Sequence, residues 1–278
     1  MAVLVTFYKL VFLEDHEYMQ KDILEWCLSL GLKGTILLSE EGINATVASD
    51  SMEIIDAFFK LLRTEELFSD VCYQVTCADF VPFRKMKVRL KREVVSFEYQ
   101  DHCSGCVGKY VDPCDWDDLI SREETVLLDV RNSYETNLGT FEGAVIPGIN
   151  YFREYPKWTQ GWVLRSGIDA STASVAMFCT GGIRCEKSSK YFSGIGFKNV
   201  YHLKGGIINY LLYKKKMGDS HLWKGNCFVF DDRVALDGQL KVVDVKCDEC
   251  GIDIGRDDVR TMTRGYVTCT PCTNMREQ

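Results

Sequence analysis

Ala173-Ser174-Val175-Ala176-Met177-Phe178-Cys179-Thr180-Gly181-Gly182-Ile183-Arg184-Cys185-Glu186-Lys187 runs from an apolar segment into a cysteine, two glycines and an arginine. The apolar run reads as a short buried strand. Past the arginine a helical pattern begins, with Ser188, Tyr191 and Phe192 ahead of Gly194. A strand that turns sharply into a helix aims backbone N–H groups at the first residue of the turn. Here that residue is a thiol. A free cysteine has a pKa of about 8.5, and a helix N-terminus with a nearby arginine brings it to roughly 3.5–7.5. The stretch therefore reads as an anion cradle around a nucleophilic sulfur, with Cys179 and Arg184 as catalytic candidates and Thr180, Gly181, Gly182, Ile183 and Cys185 as its loop. A buried inert thiol at position 179 would need neither the glycines nor the arginine. Cys185 is open to two readings, a resolving thiol or a packing residue.

Outward from the loop, strands alternate with helices. Asp112-Pro113 with Trp116, Leu119 and Ile120 reads as a helix, and Thr125 to Asp129 as a strand. Asp129-Val130-Arg131 then leads to a helix holding Tyr134 and Glu135. Gly143 to Gly148 reads as a turn and short strand, Val200 to Leu203 as a strand, and Ile207 to Lys216 as a helix. This alternation predicts an α/β domain over 113–217 with a parallel sheet and helices on both faces. Open α/β sheets collect functional groups at the C-terminal ends of their strands, where Asp129 and Cys179 fall.

The combination of Asp129-x-Arg131 with Glu135, Gly143-Ala144 with Ile146-Pro147, the strand–Cys179–loop–helix and Leu203-x-Gly205-Gly206 resembles the rhodanese domain. That resemblance implies a cysteine persulfide on Cys179, steadied by backbone N–H groups and by Arg184, with Asp129 and Arg131 in support. Cys179 to Arg184 is Cys-x4-Arg. The related dual-specificity phosphatases of the cell-cycle type use Cys-x5-Arg, a ring sized for phosphate, so the shorter loop favours a sulfur-sized anion.

Residues 1–98 read differently. Strands at Ala2–Leu10, Gly34–Leu38, Ile43–Ala48 and Val71–Val75 are interleaved with helices over Met19–Leu30 and Ile54–Leu62. The order β-α-β-β-α-β predicts a ferredoxin-like α+β domain. Its last strand, Phe83 to Arg92, holds six positive charges and no negative one between Arg84 and Arg92. By strand alternation Lys85, Lys87, Arg89 and Lys91 share one face, opposite Met86, Val88 and Leu90. Either this is an edge protected by lysines, or it is a stripe that tracks the phosphates of RNA. The 278-residue chain carries a net charge of −7, so only a local patch of this kind could meet nucleic acid.

Thirteen cysteines and no recognisable signal peptide point to reduced thiols and metal sites rather than a disulfide framework. No apolar run approaches the length of a membrane span, and a cytoplasmic location is expected. In the linker, 99–112, His102, Cys103 and Cys106 could join Cys114 in a metal knuckle or could be plain loop thiols. In the C-terminal extension, 218–278, Cys247-x2-Cys250 and Cys269-x2-Cys272 are eighteen residues apart. This is zinc-ribbon spacing, and it predicts a closed, structural four-sulfur zinc site. The four histidines show no ligand spacing, and no flavin, haem or nucleotide site is predicted.

Six motifs in order extend the resemblance beyond rhodanese. They are Glu41-Gly42-Ile43-Asn44-Ala45, Met86-Lys87-Val88-Arg89, Gly108-Lys109-Tyr110-Val111, Cys179 to Lys187, Gly205-Gly206-Ile207-Ile208 and Phe228-Val229-Phe230-Asp231. Together they resemble the TrhO family of rhodanese-domain tRNA uridine hydroxylases. The resemblance implies an acylphosphatase-like first domain, a rhodanese domain, a Cys-rich tail, and oxygen-dependent conversion of the wobble uridine of tRNA to 5-hydroxyuridine. Cys179 would be the essential residue and molecular oxygen the co-substrate. Two other readings stay beside it: a persulfide sulfurtransferase, and a zinc-stabilised module that binds RNA or protein.

Overall fold

The computed structural model describes residues 1–97, 99, 107–254, 268–269, 271–272 and 275. The chain divides into two compact units, Met1–Ser96 and Phe97–Gln278. In the first unit, β1 (Ala2–Leu10), α1 (His16–Ser29), β2 (Lys33–Ser39), β3 (Gly42–Ser49), α2 (Met52–Leu62), β4 (Tyr73–Ala78) and β5 (Met86–Leu90) follow in order. The sheet order is β4-β1-β3-β2-β5. Strands β1 and β2 each pair antiparallel with β3 between them, which is the split βαβ arrangement predicted from the sequence. Alternate residues such as Val5, Phe7, Ile36 and Leu38 point into one core with Ile55, Phe58, Phe59 and Leu62 of α2. The fourth strand starts two residues later than expected. Val71 instead ends a turn, its N–H donating to Phe68 O, and is buried there.

The basic segment gives a shorter strand than expected. β5 pairs parallel to β2 at the sheet edge. Met86 and Val88 are buried in the core, whereas Lys85, Arg89 and Lys91 are exposed and Lys87 half-buried. Leu90, on the apolar side of the alternation, is exposed as well. Gln20 Nε2 of α1 donates to Val88 O at 2.8 Å, so this carbonyl of the edge strand is already satisfied.

The second unit opens with β6 (Lys109–Val111), α3 (Pro113–Ile120), β7 (Thr125–Asp129), α4 (Ser133–Thr136) and β8 (Gly139–Phe141). It continues with α5 (Tyr155–Ser166), β9 (Ser174–Phe178), α6 (Ile183–Gly194), β10 (Asn199–Leu203) and α7 (Gly206–Met217). The last elements are β11 (Trp223–Gly225), β12 (Cys227–Phe228), β13 (Ala235–Leu236) and β14 (Val242–Val243). The main sheet, β6-β10-β9-β7, is parallel throughout. Ala176 and Phe178 of β9 pack in one cluster with Trp116 of α3 and Ile207 and Leu211 of α7. Tyr155 of α5 and Phe192 of α6 meet with ring centroids 6.3 Å apart. Among the described residues no helix is long and apolar enough to cross a membrane.

Four features depart from the sequence reading. Lys109–Val111, placed in the linker, forms an edge strand beside β10, because Tyr201, His202 and Leu203 offer it a parallel register. The strand expected near Gly143 is a single bridge between Val145 and Leu128. Pro147 has no N–H to extend it, and Gly148 turns the chain with φ +67°. Helix α5 had no counterpart in the sequence reading. The residues after 217 are not merely an appendage, since β11 pairs with β8 and Trp223 is buried against Phe141 and Phe178.

Candidate active site and metal centre

Strand β9 ends at Phe178, and Cys179 follows with 1% of its surface exposed. Gly182 stands at the N-cap of α6 with φ +107°, a conformation open to glycine, and its N–H reaches Cys179 Sγ at 3.1 Å. Helix α6 begins earlier than its apolar pattern indicated, so Arg184 and Cys185 lie in its first turn. Opposing effects set the state of the Cys179 thiol. Burial disfavours the thiolate. Hydrogen bonding from the Cys185 thiol, the charge of Arg184, and the N–H groups of Cys185 and Gly182 outweigh it, and the pKa falls to about 6. Cys185 is pushed the opposite way, by burial and by its neighbour Cys179, so it keeps its proton and donates it. Cys185 thus stands as a protonated donor beside the Cys179 sulfur.

Arg184 does not point its fork at the sulfur. Its Nη1 and Nη2 meet Glu135 Oε2 and Oε1 at 2.5 and 2.7 Å, and Nη2 also reaches Thr180 Oγ1 at 3.3 Å. Thr180 in turn donates to Glu135 Oε1 at 3.2 Å. Glu135 is wholly buried at the end of the capping box of α4, where it also accepts the Asn132 N–H at 3.2 Å. Burial alone would raise its pKa, but Arg184 holds it lowered. Arg184 therefore acts on Cys179 as a partly neutralised charge in a fixed place rather than as a direct hydrogen-bond donor. Sequence reasoning placed Glu135 on its helix without giving it this role. The signal was a buried-type arginine in need of a carboxylate.

The loop is closed from the far side by α7. Ile207 and Ile208 donate their N–H groups to Cys179 O and Thr180 O at 2.9 and 3.2 Å. Gly206, at φ +66°, approaches so near that a Cβ there would lie 2.3 Å from Cys179 O.

Asp129 and Arg131 lie fully buried. Arg131 Nε and Nη2 donate to Asp129 Oδ1 and Oδ2 at 2.8 and 2.6 Å, and Nη2 also donates to Gly139 O at 2.6 Å. The guanidinium lies 5.0 Å from the Trp223 ring centre. The pair braces the end of β7 against β8 and β11. The same geometry recurs at Asp231 and Arg233, where Nε–Oδ1 is 2.7 Å and Nη2–Oδ2 is 2.6 Å. That second pair follows Phe230, whose ring lies 5.8 Å from the Arg184 guanidinium carbon.

The sulfurs of Cys247, Cys250, Cys269 and Cys272 all lie within 4.8 Å of one another. Cys250 and Cys269 are 3.6 Å apart, close to the edge of about 3.8 Å that a tetrahedron with Zn–S bonds of about 2.3 Å requires. Cys269 N–H donates to Cys247 Sγ at 3.3 Å, and Gly251 supplies the knuckle turn at φ +69°. The donor set and spacing fit one metal ion. Cys247, Cys269 and Cys272 pack in a cluster with Phe228 and Val234. His102, Cys103 and Cys106 lie outside the described residues; Cys114 is an exposed free thiol in α3.

A family model described as the UPF0176 acylphosphatase-like domain matches residues 2–94, and one for the rhodanese-like domain matches residues 113–212. The chain is 45% identical over 271 residues to the tRNA uridine(34) hydroxylase of Anaplasma marginale, covering 97% of this chain and 96% of that protein. Proteins of the same name from Ehrlichia chaffeensis and Neorickettsia sennetsu are 42% and 44% identical. Each match covers 97% of this chain, and it covers 97% and 95% of the two relatives respectively.

Proposed function

The chain belongs to the tRNA uridine(34) hydroxylase family, and we propose that it hydroxylates carbon five of uridine 34 in tRNA with Cys179 as the reacting group. The observation that carries this reading is the cradle itself. A buried thiol with a pKa of about 6 is mostly thiolate at neutral pH. A thiolate added to carbon six of uracil makes carbon five electron-rich, ready to meet molecular oxygen as co-substrate. One oxygen atom becomes the hydroxyl on carbon five; loss of the carbon-five proton then expels Cys179 as thiolate and restores the carbon five–carbon six double bond. The other oxygen atom leaves as water, which takes two electrons and two protons from an external reductant. Cys185, as a protonated donor, would hold Cys179 ionised until the base arrives. Glu135 and Thr180 would fix Arg184 so that its charge stays beside the sulfur.

The basic residues in and beside β5, Lys85, Lys87, Arg89 and Lys91, would track tRNA phosphates in this reading. Zinc is the proposed occupant of the four-cysteine site, because an all-thiolate tetrahedron suits it and leaves no open position. Its role there would be structural. The proposed location is cytoplasmic, where tRNA is modified.

Nucleoside mass spectrometry of tRNA from cells with the wild-type gene, without it, and with Cys179→Ser tests the proposal. The 5-hydroxyuridine should vanish in the last two. Its persistence with Cys179→Ser would overturn the role given to the thiol. The short Cys-x4-Arg loop also favours a second reading, transfer of persulfide sulfur, which a thiosulfate assay on the wild type and Cys179→Ser would detect.

A further inference from the structure

Phe230 is an aromatic side chain placed beside Arg184 and left in the open. It is 45% exposed, whereas every other described phenylalanine of the second unit is buried. Its ring lies 5.8 Å from the guanidinium carbon of Arg184. Nη1 and Nη2 of that guanidinium are engaged by Glu135 and Thr180, and its carbon stands over the Phe230 ring.

The backbone that carries Phe230 is fixed on both sides. Before it, Phe228 packs edge-on at 5.0 Å and also meets Tyr134 at 5.2 Å. After it, the buried Asp231–Arg233 fork closes a tight turn, with Val234 N–H on Asp231 O at 3.0 Å and Val229 N–H on Val234 O at 2.8 Å. Val234 in this turn has φ +61°. A β-branched residue rarely adopts that conformation, and it persists only where the surroundings over-determine it. An exposed ring on a rigid, strained support is built to meet something.

The chemistry of the site says what. Single-stranded bases are taken up by stacking on aromatic and guanidinium planes. We propose that Phe230 is the stacking platform for the pyrimidine ring that reacts at Cys179, forming with Arg184 one wall of the base subsite. This rests on the reading that the substrate is a uridine. It assigns the segment after the rhodanese-like domain a part in substrate binding, and it gives the four-cysteine cluster, packed against Phe228 and Val234, the task of holding that wall.

The test is a binding cycle on the full chain. Two synthetic anticodon stem-loops serve as probes, one with uridine at position 34 and one abasic there. Cys179→Ser, alone and combined with Phe230→Tyr, Phe230→Leu or Phe230→Ala, is titrated with each. The uridine probe should bind more tightly than the abasic one. Phe230→Leu and Phe230→Ala should weaken the uridine complex by roughly 5- to 150-fold and the abasic complex hardly at all, while Phe230→Tyr stays within about twofold. A Leu variant equal to the parent, or an equal loss on both probes, would overturn the proposal. So would a single Phe230 variant, with Cys179 intact, whose Cys179 alkylation pKa shifts while its Cys179→Ser counterpart keeps full RNA affinity, since Phe230 would then act through Arg184. Hydroxylation by the wild type is scored separately by mass spectrometry, so failure of the uridine reading and failure of the Phe230 assignment give different results.

Discussion

Arg184 spends both prongs of its guanidinium on Glu135, at 2.5 and 2.7 Å, and none on the sulfur of Cys179. The two side chains come from positions 49 residues apart and are both buried. The pair fixes where a positive charge stands beside the thiol. It also binds the short helix α4 to the first turn of α6.

Removing one member should therefore be costly. Glu135→Gln takes from Arg184 its hydrogen-bonded carboxylate and leaves only the Cys179 thiolate to offset a buried charge, and breaking such pairs costs about 3–5 kcal/mol. Thermal or urea unfolding of the variant should reveal a loss of that order. A loss below about 1 kcal/mol would mean that solvent reaches the pair.

The state of Cys179 should follow its donors. The rate of alkylation should rise with pH around a pKa of about 6. Activity that depends on the thiolate should climb through the same range and level off above it. Cys185→Ala removes a donor to the thiolate, so the Cys179 pKa should rise. Cys185→Ser keeps an O–H in place and should hold it lower than the Ala variant does. Equal pKa values in the two variants would exclude the hydrogen bond as a cause.

Gly206 should tolerate no side chain. A Cβ would lie 2.3 Å from Cys179 O and 2.7 Å from Thr180 O, both backbone atoms that cannot swing away. Gly206→Ala should destabilise the protein by about 1–3 kcal/mol and cut product formation sharply by displacing the loop. Unchanged activity would show that the loop position is not critical.

The four-cysteine site should carry about one zinc per chain, measurable by elemental analysis of the purified protein. A chelator or Cys250→Ser should remove it and lower the unfolding temperature. Metal-free protein with an unchanged melting curve would reduce the cluster to four packed thiols.

Charge reversal on β5 tests the RNA stripe. Lys87→Glu with Arg89→Glu should weaken tRNA binding and flatten its dependence on salt. The slope of log K against log salt should fall by roughly 0.7–0.9 for each phosphate that the variant no longer neutralises. An unchanged slope would place the RNA surface elsewhere.

Much of this was legible in the chain. The pattern of β1 to β4 with α1 and α2 is strongly periodic, and the four-strand order followed from it. Cys179-Thr180-Gly181-Gly182-Ile183-Arg184 announced a turn from strand to helix, because glycine at position 182 is the residue that takes φ +107°. The paired Cys-x2-Cys motifs announced a metal-binding cluster, because ligand spacing is a local property. Strand β6, three residues long, was not legible, since only its pairing with β10 makes it a strand. Helix α5 was missed although Tyr155, Trp158 and Trp162 stand at helical spacing, because Pro156 and the interior Gly161 break the pattern of good helix formers around them.

The sequence alone determined the cradle around Cys179, since a cysteine, two glycines and an arginine in six consecutive residues meet through local backbone geometry. Tertiary structure decided how those residues are used. It assigned Arg184 to Glu135, made Cys185 the thiol donor to Cys179, and brought the Phe230 ring, which follows α7 in the chain, beside Arg184. Such partnerships depend on which buried charges and rings are left needing a neighbour once the sheet has closed, and spacing along a chain does not encode that.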